Sequence, residues 1–144
     1  MEDSKAVHTF KAGYNCTQSI LFNYAEKMGI SVNTAFMLGT GLGAGMGRKQ
    51  EVCGAVTGGI LVLGALFGRG ENEGKEKQDD TYLKVRTLMD AFSRETGTVL
   101  CREILDGCDL LSSDGQKRFA DEEKIKICHA CVDRVIAITD RIIG

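Results

Sequence analysis

The chain has 144 residues, the length of one domain, and its 43% hydrophobic and 26% charged content excludes general disorder. Lys and Arg total 18 against 20 Asp and Glu, a net charge of −2, so no overall basic field exists to attract nucleic acid or anionic lipid. The composition departs from the ordinary in its 18 Gly, 6 Cys and absence of Pro and Trp, with only 2 His, which points to thiols as the chemistry.

Residues 1–10 carry Glu2, Asp3, Lys5 and His8 and no apolar run, so no secretory signal is expected and the location is read as cytoplasmic. Cysteines in that setting are catalytic thiols, metal ligands or buried structural residues rather than a disulfide framework. The uncharged stretch 52–67 would span about 24 Å as a helix, short of the ~30 Å hydrocarbon core. It is therefore expected as a buried central helix, with no membrane span.

Apolar residues recur at helical spacing, and no stretch alternates with period two. A short helix is expected over 4–12, ending at Gly13. Asn15 is a good N-cap with Gln18 three residues on, and the helix it opens runs through Ile20, Leu21, Tyr24 and Met28 to Gly29. Ser31 caps another short helix. Residues 39–47 hold five glycines in nine positions, too costly in backbone entropy for a regular helix, so a tight, closely packed segment is expected. Helix resumes near 50 and continues to 67, with Gly54, Gly58, Gly59 and Gly64 allowing close approach of neighbours. Residues 69–80 read as a charged loop. The next helix carries Tyr82, Val85, Met89 and Phe92 on one stripe and stops at Gly97. Thr98 is read as the cap of a short helix to 106, 112–115 as a turn, and 121–143 as the last helix. That helix has a seam of Ile125, Cys128, Val132, Val135, Thr139 and Ile142. The expected architecture is all-α: one compact helical bundle over 1–144 around a Gly-rich central helix.

Two motifs mislead. Residues 39–44 match G-x-G-x-x-A, but neither a preceding strand nor a following acidic residue at a second strand is visible. The same glycines lack the Gly-Lys-Ser/Thr of a phosphate loop. An anion could still meet the free N–H groups beyond Arg48 and Lys49, although a glycine-packed corner is the plainer reading. Cys128-His129-Ala130-Cys131 is not a haem attachment motif, because Val132 stands where histidine is required. His129 is expected to face water, while Cys128 and Cys131, three apart, lean inward.

The remaining cysteines carry more. Cys16 follows the cap Asn15, Cys53 is expected in the first turn of the central helix, and Cys101 lies three residues after Thr98. Three cysteines in the opening turns of three helices suggest thiolates favoured by the helix dipole. Cys108, in a loop, reads as incidental.

Taken together, Asn15-Cys16-Thr17-Gln18-Ser19, the run ending Gly45-Met46-Gly47, Val52-Cys53-Gly54-Ala55-Val56-Thr57-Gly58-Gly59, Cys101-Arg102-Glu103 and the pair Cys128 and Cys131 resemble the C_GCAxxG_C_C family. The resemblance spans 10–132. The central block reads Cys-Gly-Ala where the family label reads Gly-Cys-Ala, and either of the last two cysteines could match the final one of the label. The family is described as redox-active, and a related region occurs in split-Soret cytochrome c, whose haem-binding part has no counterpart here.

Two functions are weighed. In the first, clustered thiols (Cys16, Cys53, Cys101, Cys128 and Cys131) exchange with a disulfide of a redox protein or of a small thiol compound. If the protein turns over, it is then a thiol oxidoreductase. In the second, Cys16, Cys53, Cys101 and Cys128 bind an iron–sulfur cluster or zinc. A plain helical homo-oligomer with buried cysteines is the third reading. Cys16, Cys53 and Cys101 are expected to converge on one site, with Cys128 or Cys131 closing it from the last helix.

Overall fold

The computed structural model describes residues 2–144, and among them the regular structure is helical apart from one isolated antiparallel bridge between Val52 and Leu100. The protein is all-α, as expected. Helix α1 is Lys5–Lys11, opened by the Ser4 hydroxyl accepting from the Val7 N–H. Helix α2 is Cys16–Met28, and its capping box is complete: Asn15 accepts from the Gln18 N–H and Gln18 accepts from the Asn15 N–H. It ends at Gly29 in the left-handed conformation. Ser31 caps α3, Val32–Gly39.

The glycine run then does what no ordinary helix could. After a 3₁₀ turn at Thr40–Leu42 comes α4, Gly43–Met46, a single turn of the wrong hand. Ala44, Gly45, Met46, Gly47 and Arg48 have φ of 53°, 66°, 70°, 59° and 66°. Three of these are not glycine, and each such residue costs about 1–2 kcal/mol in a left-handed helical conformation.

Helix α5, Gly54–Phe67, is central: it packs on α2, α6 and α9. Its burial is uneven. Ala55, Val56, Val62 and Leu63 are fully buried, but Leu61, Gly64 and Ala65 on the far face are exposed. The small residues face the tightest contacts. A Cβ on Gly58 would lie 2.8 Å from the Ile20 Cβ of α2, whereas one on Gly64 would meet nothing within 4 Å.

Several boundaries differ from expectation. Helix α5 starts at Gly54, not near 50, because Gln50 sits at φ 56° and the Val52–Leu100 bridge keeps the intervening backbone extended. Helix α6, Lys75–Thr96, begins inside the expected loop. Its polar first turns are held by Lys84 paired with Asp80 and lying over the Phe67 ring, and by the Thr81 hydroxyl donating to the Phe67 carbonyl. Leu88 and Phe92 carry its buried stripe, while Tyr82 is exposed. Helix α7 is only Cys101–Ile104. Thr98 is not its cap: the hydroxyl accepts from the Leu100 N–H and donates to Glu103. The expected turn at 112–115 opens α8, Ser113–Asp121, with Ser112 as its cap. Helix α9 is Ile125–Ile143, starting after Glu123 at φ 51°. Val132, Val135 and Thr139 of its seam are fully buried, joined by Cys131 and Ile138.

These glycine contacts set opposite outcomes for two similar substitutions. Gly58→Ala should lower stability by about 1–3 kcal/mol through overpacking against Ile20. Gly64→Ala should raise it by about 0.5–1 kcal/mol through helix propensity. Chemical denaturation of both variants checks the pair.

Candidate functional site

The Val52–Leu100 bridge is the clamp that assembles the site. Around it the Cys53 N–H donates to the Val99 carbonyl at 2.8 Å, the Cys101 N–H to Glu51 at 2.7 Å and the Arg102 N–H to Gln50 at 3.1 Å. Side chains alternate across extended backbone, so Cys53 and Cys101 share the face opposite Val52 and Leu100. Cys53 is the N-cap residue of α5 and Cys101 the first residue of α7. Both therefore stand further out on their helices than the sequence reading placed them.

Gln50, a residue the sequence reading passed over, locks the clamp to the next loop. Its side chain is buried; its amide donates to the Cys108 carbonyl at 2.7 Å and accepts from the Leu110 N–H at 2.9 Å. No local pattern marks a lone glutamine for that task.

Helix α2 brings the third sulfur. Cys16 is the first residue of α2, held over the start of α5 where the backbone is bare: a Cβ on Gly54 would lie 2.3 Å from the Cys16 Sγ. The Thr17 hydroxyl donates to the Gly54 carbonyl at 2.7 Å and fixes the approach. Helix α9 closes the site with Cys128 and Cys131. All five cysteines line one cavity of about 380 Å³, with Phe10, Leu105 and Phe119 among its apolar walls. Arg48 is the one charged residue on the lining, and among the described residues it makes no ion pair. It stands at the end of the left-handed turn, whose Ala44 also lines the cavity.

Cys108 is elsewhere. It does not line the cavity but is buried with Cys101 and Leu105 in a small second core, and its thiol donates to the Gly115 carbonyl at 3.0 Å. His129 does not simply face water. Its ring stands edge-on to Phe10 with centroids 5.2 Å apart, and Nε2 is buried without a hydrogen-bond partner. Burial, then Lys11, lowers its pKa.

The expectation of helix-activated thiolates is overturned. Burial, with the neighbouring Cys53 second, pushes Cys16 up to about 11, although the Ala44 N–H pulls the other way. Cys101 rises to about 12 through burial and then Cys53 and Cys16. Cys128 is raised by burial and by Cys16, Cys53 and Cys101. Cys53 is held well above the ordinary value by the neighbouring Cys131 side chain and then by burial. A thiolate in this cavity loses water and gains like-charged neighbours, and both effects exceed the pull of the helix ends. The resting site is a cluster of neutral thiols. No disulfide joins any of the described cysteines.

A family model described as "Putative redox-active protein (C_GCAxxG_C_C)" matches residues 14–142. No curated protein and no solved structure matches the chain. Among the described residues no helix is long and apolar enough to cross a membrane.

The raised thiol pKa values give the fold an alkaline limit. The folded protein keeps protons that the unfolded chain releases near 9.0. The thiol contribution to stability is therefore full below that pH. It declines as pH rises toward about 11 for Cys16 and about 12 for Cys101, each thiol adding at most about 1.4 kcal/mol per pH unit. Denaturation midpoints from pH 7 upward should be flat and then fall, and the fall should be shallower in Cys16→Ser. At neutral pH the folded thiols should alkylate more slowly than free cysteine, and denaturant should abolish the difference.

Proposed function

From its membership of the C_GCAxxG_C_C family of redox-active proteins, to which the chain belongs, we propose that the protein is a thiol–disulfide carrier whose working pair is Cys53 and Cys131. The observation that carries this reading is the convergence of five cysteines on one cavity, in which Cys131 is the neighbour that acts most strongly on the Cys53 thiol. Two thiols that share a cavity can close a disulfide, whereas a lone buried thiol can only form an adduct.

The step balances as follows. Cys53 attacks one sulfur of a substrate disulfide, the S–S bond breaks, and the leaving sulfur takes a proton. Cys131 then attacks the Cys53 sulfur of the mixed disulfide, releasing the second substrate thiol with the second proton. The protein loses two electrons and the substrate gains them. Cys16, Cys101 and Cys128 line the same cavity. Burial, and then the neighbouring cysteines, keep Cys101 and Cys128 protonated.

The metal-binding alternative on Cys16, Cys53, Cys101 and Cys128 has less support. Among the described residues no group of three or more His, Cys, Asp or Glu side chains is arranged to hold an ion. These sulfurs would have to close up around an iron–sulfur cluster or zinc.

The test is mass spectrometry of anaerobically prepared, reduced protein after titration with a disulfide. The expected product has lost two hydrogens, with the linked peptides carrying Cys53 and Cys131. Cys131→Ser should stop at a mixed disulfide on Cys53, and Cys108→Ser should behave as the parent. Stoichiometric iron or zinc in the anaerobic preparation, or a first disulfide that omits Cys53, would overturn the assignment.

A further inference from the structure

We propose that the thiol cavity admits a small disulfide with an apolar body and an anionic group, and that Arg48 holds that group at the cavity. This rests on the thiol–disulfide reading above and names its substrate class. Access argues for a small molecule. Cys53 and Cys101 are each 8% exposed and Cys131 is 2% exposed, so a disulfide on the surface of a folded protein cannot reach Cys53. A compound that enters the cavity can, and about 380 Å³ lies within the range that small ligands occupy.

The lining selects within that class. Phe10, Phe119 and Leu105 offer apolar surface. Among the other polar liners, Asn15 donates to the Gly39 and Thr40 carbonyls, Gln116 donates to Leu110, and the uncharged Tyr14 stacks its ring on Phe36. Arg48 is the charged liner, with no ion-pair partner among the described residues. A planar guanidinium with free N–H groups matches a carboxylate.

The backbone gives independent support. Arg48 has φ 66° and ends a run of five consecutive left-handed residues. Strain of that kind persists where the surrounding structure over-determines it, and it clusters at binding sites. Here the strained turn places both its first member, Ala44, and its last, Arg48, on the cavity wall.

The experiment follows the oxidation of reduced protein by two aromatic disulfides, dithiobis(nitrobenzoate), which carries carboxylates, and uncharged dithiodipyridine. Arg48→Gln should slow the first by about tenfold, the scale of one lost charge-assisted contact, and leave the second unchanged. Arg48→Lys, which keeps the charge, should recover most of the rate and so separates charge from any effect on folding. Equal slowing with both reagents, or no slowing with either, would overturn the anion site while the Cys53–Cys131 disulfide still formed. Failure of either reagent to produce that disulfide in the parent protein would overturn both this proposal and the function it rests on.

Discussion

The backbone of α5 lies so close to α2 at its first residue that no side chain fits between them, and the rest of the site depends on that contact. A Cβ at Gly54 would stand 2.3 Å from the Cys16 sulfur and 2.7 Å from the Thr17 hydroxyl. One turn on, Gly58 repeats the approach against Ile20. Glycine is unfavourable in a helix interior, and here the cost is offset by dispersion between two helices at close range. The same contact delivers the Cys16 sulfur to the N-terminus of α5, where Cys53 already sits. With those two sulfurs placed, the Val52–Leu100 bridge adds Cys101 and the inward face of α9 adds Cys128 and Cys131.

That assembly sets two electrostatic effects against each other. Cys16 and Cys101 stand at helix starts, where partial positive charge favours the thiolate. Yet convergence removes water and surrounds each thiol with others that would repel its charge, and the pKa values rise. The helix-end effect is worth about a kcal/mol or less where water is present, while desolvation of a buried ionised group costs several. The cluster is thus a store of protonated, poorly nucleophilic sulfur rather than a set of primed thiolates.

Features encoded within a few residues were legible in the sequence. Asn15, with Gln18, and Ser31 cap their helices as their spacing indicates, and Gly29 and Gly97 end theirs in the left-handed conformation. The list of converging cysteines was also legible, because each occupies an inward or helix-opening position in its own segment. What escaped depends on partners far along the chain. Cys101 stands where it does because Glu51 accepts its N–H across 50 positions of sequence, which overrides the local claim of Thr98 to be a cap. The residues 112–115 look like a turn because Ser, Asp and Gly favour turns, but the same Ser112 caps a helix once the following residues stay helical. Gln50, Phe119 and the Arg48 approach to the cavity carry no local signature. The thiol pKa values were misjudged for the same reason, since burial is a property of the assembled core and the dipole of a single helix.

The sulfurs of Cys16 and Cys131 come together from opposite ends of the chain, so their meeting must await most of the folding process. Contacts of such high sequence separation form late, after loop-closure entropy has been overcome. Until then each cysteine has the ordinary acidity of an exposed thiol and none of the protection of the cavity. A newly made chain is consequently more easily oxidised, and more open to mispairing among its six cysteines, than the finished protein. For this molecule the hazardous interval is biosynthesis, and reducing surroundings matter most to the chain before it has any function to perform.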